Sequence, residues 1–212
     1  MLPGDDLIRP AAVVFIVDDD ASVRDALSSL LRSAGWQVRA FAGASEFLAS
    51  PRPALPACLV LDVRLPGENG LELQRKLVEM GDRTPVIFMT GHGDIPMSVR
   101  AMKAGAVEFL PKPFREEDLL DAIELALRTD AARLRAHARL EDLRRRVGSL
   151  SPRELAVMRR VVRGMLNKQI AAELKIAEVT VKVHRRRVME KTGAQSLAEL
   201  VRLAELVDPS LT

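Results

Sequence analysis

Residues 13–20 read Val13-Val14-Phe15-Ile16-Val17-Asp18-Asp19-Asp20. Five apolar residues, mostly β-branched and ending abruptly in acid, predict a strand covered on both faces that carries three carboxylates at its C-terminal end. The flanking chain repeats the pattern. Ala21–Ala34 sets Val23, Ala26, Leu27, Leu30 and Leu31 at helical spacing and stops at Gly35. Gln37–Phe41 reads as a short strand, Ala44–Ala49 as a short helix and Cys58–Leu61 as a buried strand. Leu71–Glu79 is helical, Val86–Met89 a fourth strand, Ile95–Ala104 a helix closed by Gly105, and Val107–Leu110 a fifth strand, with a fifth helix opening at Glu116. Strands alternating with helices predict an α/β unit, a doubly wound parallel sheet covered by helices on both sides. In such sheets chemistry gathers outside the carboxyl ends of the strands. That places Asp18, Asp19, Asp20, Asp62, Thr90 and Lys112 together.

Carboxylates crowded at one sheet edge repel one another unless a cation neutralises them. Asp20 is read as the cap of the following helix. The remaining donors offer only oxygen, which suits Mg²⁺ rather than zinc. A carboxylate beside Mg²⁺ can attack a phosphoryl group, because the metal screens one anion from the other. The Thr90 hydroxyl and Lys112 ammonium can hold oxygens of an attached phosphoryl group. Arg64, two residues past Asp62, is a long cation that the reading allows to enter the pocket before a metal binds. His92 is read as a polar loop residue and Cys58 as a packed strand residue. GHGD and PGENG are turns, since neither has the glycine spacing of a dinucleotide-binding loop.

The chain has 212 residues, enough for one large domain or two small ones. No run approaches 18 apolar residues, so no transmembrane helix and no membrane association are expected. The opening MLPGDDLIRP lacks the apolar segment of a signal peptide. One cysteine rules out an internal disulfide framework or a cysteine-based zinc site, and a cytoplasmic location is expected. Aromatic residues are only 3% and tyrosine is absent, which weighs against recognition by base stacking. The net charge of +3 hides an asymmetry: 13 Lys+Arg against 19 Asp+Glu up to Ala126, then 19 against 10 from Leu127 onward. An acidic part joined to a basic part points to a nucleic acid or an anionic surface as partner of the second.

From Arg115 to Val147 there is neither Gly nor Pro. Leu134, Leu140, Leu143 and Val147 lie among Arg133, Arg135, Arg139 and Arg144–Arg146, so this span reads as one long helix or two abutting ones, broken at Gly148-Ser149. It is either a solvated linker or a coiled-coil dimer stalk. Beyond it everything is helical. Ser151-Pro152-Arg153-Glu154 is a helix start with a capping box, and that helix stops at Gly164. Lys168–Leu174, Glu178–Lys191 and Ser196–Leu206 follow. In the third of these four helices Val181, His184 and Val188 share one face and can anchor on Ile170, Ala171 and Leu174. Lys182, Val183, Arg186 and Glu190 share the other. Cations reach guanine edges and a valine can touch a thymine methyl, which suits a helix in a DNA major groove. Arg185 and Arg187 flank that face and Lys168 sits at a helix N-terminus, all suited to phosphates. The pattern alone also permits an all-α protein-docking module.

Two resemblances narrow these readings. FIVDDDASVR, LVLDVRLPGENG, IFMTGHGD and MKAGAVEFLPKPF, in this order over residues 11–127, resemble the flavodoxin-like receiver domain of bacterial two-component response regulators. LSPRELAVMRRVVRGMLNKQIAAELKIAEVTVKVHRRRVMEKTGAQSLAEL, within residues 150–208, resembles the LuxR-type four-helix, helix-turn-helix DNA-binding domain. With a helical linker at 128–149, the combination resembles the NarL/FixJ class, and FixJ-like regulators most. The resemblance implies that Asp62 accepts a phosphoryl group. It implies that Asp18, Asp19, Asp62 and the backbone carbonyl of Arg64 hold Mg²⁺, and that Lys112 and Thr90 contact the phosphoryl group. Thr90 and Phe109 fall on the family's switch positions; Phe109 stands where a tyrosine is common, so only the packing part of that switch carries over. Lys112-Pro113 matches a pair whose bond is commonly cis. Base contact is implied for Lys182, Val183 and Arg186, and backbone contact for Thr180. Ala177-Glu178 departs from the small polar cap usual there.

The implied function is a cytoplasmic transcriptional response regulator. A sensor histidine kinase would phosphorylate Asp62, shifting the receiver toward a form that dimerises and binds two promoter half-sites of double-stranded DNA, with RNA polymerase a candidate partner. No enzyme activity is expected beyond self-phosphorylation and self-dephosphorylation at Asp62. Two rivals stand beside it. Phosphatases of the haloacid dehalogenase type place a second acid two residues after the nucleophile, where this chain has Arg64. A phosphorylation-independent adaptor would use the helical domain to bind protein.

Overall fold

The structure is a computed structural model that describes residues 12–91 and 95–209. Residue 11, where the first predicted domain starts, and His92 lie outside the described residues.

The predicted alternation is present. In chain order come β1 (Val13–Val17), α1 (Ala21–Ser33), β2 (Gln37–Phe41), α2 (Ala44–Ala49) and β3 (Ala57–Asp62). Two short strands follow, β4 (Arg64–Leu65) and β5 (Glu68–Asn69), then α3 (Gly70–Glu79), β6 (Val86–Thr90), α4 (Ile95–Lys103), β7 (Glu108–Pro111) and α5 (Glu116–Gly148). The main sheet is parallel, in the order β2-β1-β3-β6-β7. Successive residues of a strand point to opposite faces, and β1 supplies both layers of core. Val14 and Ile16 pack with Leu27, Leu31, Leu119 and Ile123 of α1 and α5. Val13, Phe15 and Val17 pack with Phe47, Leu73, Leu77 and Ala101 of α2, α3 and α4.

The β4–β5 hairpin was not predicted. Arg64 pairs with Asn69 and Leu65 with Glu68 in antiparallel register, turning at Gly67 with a φ of 79°. The PGENG stretch, read only as a turn, makes this hairpin.

α5 is a single helix, not two abutting ones. The chain divides into compact units between Leu134 and Arg135, so the division falls within the 128–149 segment. Asp130 belongs to the first unit: it is buried and accepts a hydrogen bond from the Ala57 amide at 3.0 Å. Leu143 and Val147 belong to the second, where they are buried in its core.

That second unit continues with α6 (Pro152–Val162), α7 (Asn167–Leu174), α8 (Glu178–Thr192) and α9 (Leu197–Val207). The Ser151–Glu154 capping box forms as read. Val157, Met158, Ile170, Val181, Val188 and Leu200 fill the core. Among the described residues no helix is long and apolar enough to cross a membrane.

Candidate functional site

The strand order reverses between β1 and β3, which is where a doubly wound sheet opens a crevice. Val17 of β1 lies opposite Leu61 of β3, so Asp18 and Asp62 follow side by side at that crevice. Asp18 and Asp62 are buried, and Asp19 is exposed. Each of the three offers a carboxylate oxygen, all within 4.8 Å of one another. Asp20 caps α1 as expected, accepting from the Ser22 amide at 2.8 Å.

Lys112 follows the edge strand β7 and reaches across β6. Its Nζ donates to Asp18 Oδ2 and to Asp62 Oδ2, both at 2.8 Å. Burial raises the pKa of Asp18 above the usual carboxylate range, partly offset by Lys112. Burial works against the charge on Lys112, yet its bonds to Asp18 and Asp62 hold its pKa above the ordinary lysine value. The cation between the carboxylates is therefore Lys112. The Arg64 side chain is exposed, and its amide donates to Asp62 Oδ1 at 3.0 Å.

Thr90 ends β6, buried, one residue beyond Met89, which pairs with Asp62 of β3. Phe109 is half-buried on β7, with its ring centroid 6.3 Å from that of Phe88. The Lys112-Pro113 bond is cis, and the Lys112 amide donates to the Thr90 carbonyl at 2.7 Å.

Two positioning residues escaped the sequence reading. Arg24, on α1, donates from Nη1 to the Asp18 carbonyl at 2.8 Å and fixes the turn after β1. Gly70 opens α3 against the turn after Asp62, its amide donating to the Val63 carbonyl at 2.9 Å. A glycine at the first position of a helix, where it is a poor helix former, was the available signal.

The donor set fits Mg²⁺: carboxylate oxygens only, clustered at a strand-end crevice, with a positive charge already needed there.

In the second unit, α7, the turn Lys175-Ile176-Ala177 and α8 form the helix-turn-helix, with Lys175 in the left-handed conformation at a φ of 54°. Val181 and Val188 face the core, packed with Ile170, Ala171 and Leu174. His184 is half-buried, and its Nδ1 has no hydrogen-bond partner among the described residues. Lys182, Val183 and Arg186 are exposed on the opposite face, and Thr180 is half-buried in the first turn. Lys182 lies 3.8 Å from Glu178, and Arg186 Nε donates to Glu190 Oε1 at 2.7 Å. Arg185 is turned into the protein, donating to Asn167 Oδ1 at 2.7 Å and bracing α7 against α8. Lys168 and Arg187 are exposed.

A receiver crevice and a helix-turn-helix in one chain define a class of signalling protein, and comparison with known proteins agrees. Residues 14–124 match the response regulator receiver domain, and residues 148–204 match the luxR family of bacterial regulatory proteins. The chain belongs to the two-component response regulators of the NarL/FixJ class, which join a receiver to a LuxR-type DNA-binding domain. It is 53% identical to Nodulation protein W of Bradyrhizobium diazoefficiens over 194 residues, 92% of this chain and 86% of that protein. The solved structure of the response regulator StyR is 55% identical, with a TM-score of 0.83 over 92% of this chain and 98% of that one. Full-length FixJ from B. japonicum is 43% identical, with a TM-score of 0.54 over 92% and 96%.

Proposed function

We propose that this chain is a phosphorylation-controlled transcription regulator of the cytoplasm, with Asp62 as phosphoacceptor. The observation that carries this reading is the setting of Asp62: central in the sheet, its oxygen within 4.8 Å of those of Asp18 and Asp19, and 2.8 Å from Lys112 Nζ. An Asp62 oxygen attacks the phosphorus of a phosphohistidine on a sensor kinase. The new O–P bond forms as the P–N bond breaks, and the imidazole leaves. Asp18, Asp19, Asp62 and the Arg64 carbonyl would hold Mg²⁺, which when bound neutralises the carboxylates and lets one anion approach another. Lys112, now shared by Asp18 and Asp62, turns a donor to a phosphoryl oxygen, and the Thr90 hydroxyl donates to another. Self-phosphorylation and self-dephosphorylation at Asp62 complete the chemistry.

Movement of Thr90 toward the phosphoryl group opens space into which Phe109 repacks, biasing the receiver toward a form that dimerises. Two helix-turn-helix units then meet two half-sites of double-stranded DNA, as two-fold symmetry requires. Lys182, Val183 and Arg186 of α8 face base edges; Thr180, Lys168 and, once released from Asn167, Arg185 meet the backbone. RNA polymerase is the further partner of a protein so placed on a promoter.

The test is DNA binding by the full chain with and without an acyl-phosphate donor, together with genome-wide mapping of bound DNA for wild type and Asp62→Asn. Salt-sensitive binding that rises with phosphorylation, and sites lost in Asp62→Asn, are expected. Failure of both forms to bind any duplex overturns the reading.

A further inference from the structure

We infer that Glu190 is a positioning residue for base recognition: it holds the Arg186 guanidinium end-on, so that α8 selects a guanine. This rests on the reading of α8 as a major-groove helix.

The cations of this unit are held in different ways. Arg185 is committed to Asn167. Arg187 and Lys168 are exposed and make no hydrogen bond or ion pair with the described residues, as suits groups that follow the phosphate backbone. Lys182 lies 3.8 Å from Glu178, a loose pairing of a compact point charge. Arg186 differs from all of them. It is 80% exposed, yet its Nε is fixed on Glu190 Oε1 at 2.7 Å. Residues 183, 186 and 190 succeed one another at spacings of three and four, so the pair lies on the face that carries Val183.

A guanidinium whose Nε is taken has Nη1 and Nη2 left, side by side. Those two donors match the O6 and N7 acceptors of guanine in the major groove. The pairing also decides what Arg186 does not do. Beside Glu190 the pair is close to neutral, so it contributes little to attraction for phosphate. Glu190 even costs non-specific affinity, because it brings a carboxylate toward a polyanion. An acid on a DNA-facing helix lowers general affinity and is useful there if it buys orientation.

The two readings of Glu190 therefore diverge in sign. As a plain surface ion pair, its removal tightens binding to all duplexes alike and leaves sequence preference untouched. As a positioning residue, its removal tightens random-sequence binding while guanine discrimination falls. The full chain, as wild type, Glu190→Ala, Glu190→Gln, Arg186→Ala and the double variant Arg186→Ala with Glu190→Ala, selects duplexes from a randomised library. Affinities are then measured at one salt concentration for the wild-type choice and for versions replaced at each guanine. Wild type is expected to lose about tenfold at one guanine position per half-site. Glu190→Ala should lose about threefold or less there and bind random competitor more tightly. Glu190→Gln, which keeps an oxygen for Nε, should fall between. In the Arg186→Ala background, Glu190→Ala should change discrimination no further. Unchanged discrimination in Glu190→Ala, or an equal change for every duplex, overturns the inference while leaving DNA binding intact. A wild type that binds no duplex removes the DNA reading and this inference with it.

Discussion

A Cβ placed on Gly70 would lie 2.5 Å from the backbone carbonyl oxygen of Asp62. The same atom would stand 3.1 Å from the Val63 Cα. Both neighbours are backbone or fixed to it, so neither can swing away. The first turn of α3 is thus seated directly on the turn that presents Asp62. Gly70→Ala should displace one or the other and destabilise the receiver by about 1–3 kcal/mol. It should also slow phosphorylation of Asp62 by an acyl-phosphate donor. Thermal unfolding and the rate of phosphoprotein formation check both; a variant with wild-type stability and rate would show that the turn yields freely.

Lys112 bridges Asp18 and Asp62 with two contacts of 2.8 Å. Lys112→Met leaves two adjacent carboxylates without their cation. A fully buried pair broken in this way costs about 3–5 kcal/mol; a quarter of the Lys112 side chain meets water, so about 1–2 kcal/mol is expected near neutral pH. A divalent cation should restore more stability to the variant than to wild type, because it supplies the charge that has been removed. The measurement is the change in Tm with added MgCl₂. Equal changes in both proteins would mean that Lys112 and the cation do not share a role.

The sheet and the strand-end cluster were legible because their signals are local. Buried runs such as Val13–Val17 and Cys58–Leu61 announce central strands, Gly35 and Gly105 end helices, and a parallel sheet brings strand ends together whatever the loops do. The residues that hold the site were not legible. Arg24 touches a backbone carbonyl, to which no sequence pattern points. The β4–β5 hairpin has two residues per strand, too few for periodicity. The 128–149 segment stayed open for another reason. Leu134, Leu140, Leu143 and Val147 fit a stalk pattern, but a heptad does not reveal whether its partner is a second helix or the chain's own following domain. The structure gives Leu143 and Val147 to the latter.

Leu143 is packed in the core of the second unit, so Leu143→Ala should destabilise that unit by about 2–3 kcal/mol, the lower part of the range for buried leucines since the site lies at the core's edge. Amide hydrogen exchange should quicken throughout α6–α9 and change little in β1, β3 and β6. A stalk leucine would behave otherwise: its truncation would lower dimer affinity and leave exchange in the monomer's helices as it was.

Glu154 is buried at the start of α6, where it accepts from Lys191 Nζ at 2.6 Å and from the Ser151 amide at 2.8 Å. The Lys191 bond above all, then the Ser151 amide, lower its pKa to about 2. An unfolded glutamate titrates near 4.3. The folded state therefore favours the carboxylate, and its contribution is complete above the unfolded pKa and lost as pH falls from about 5 toward 2. Lys191 is 39% exposed, so solvent screening reduces the effect to about 1–2 kcal/mol. Glu154→Gln should remove that contribution near neutral pH and flatten the acid limb of the stability curve of α6–α9. Hydrogen exchange of those helices between pH 5 and pH 3, corrected for intrinsic rates, follows it. If wild type and Glu154→Gln lose protection in parallel over that range, the Glu154–Lys191 pair is not what ties the second unit's stability to pH.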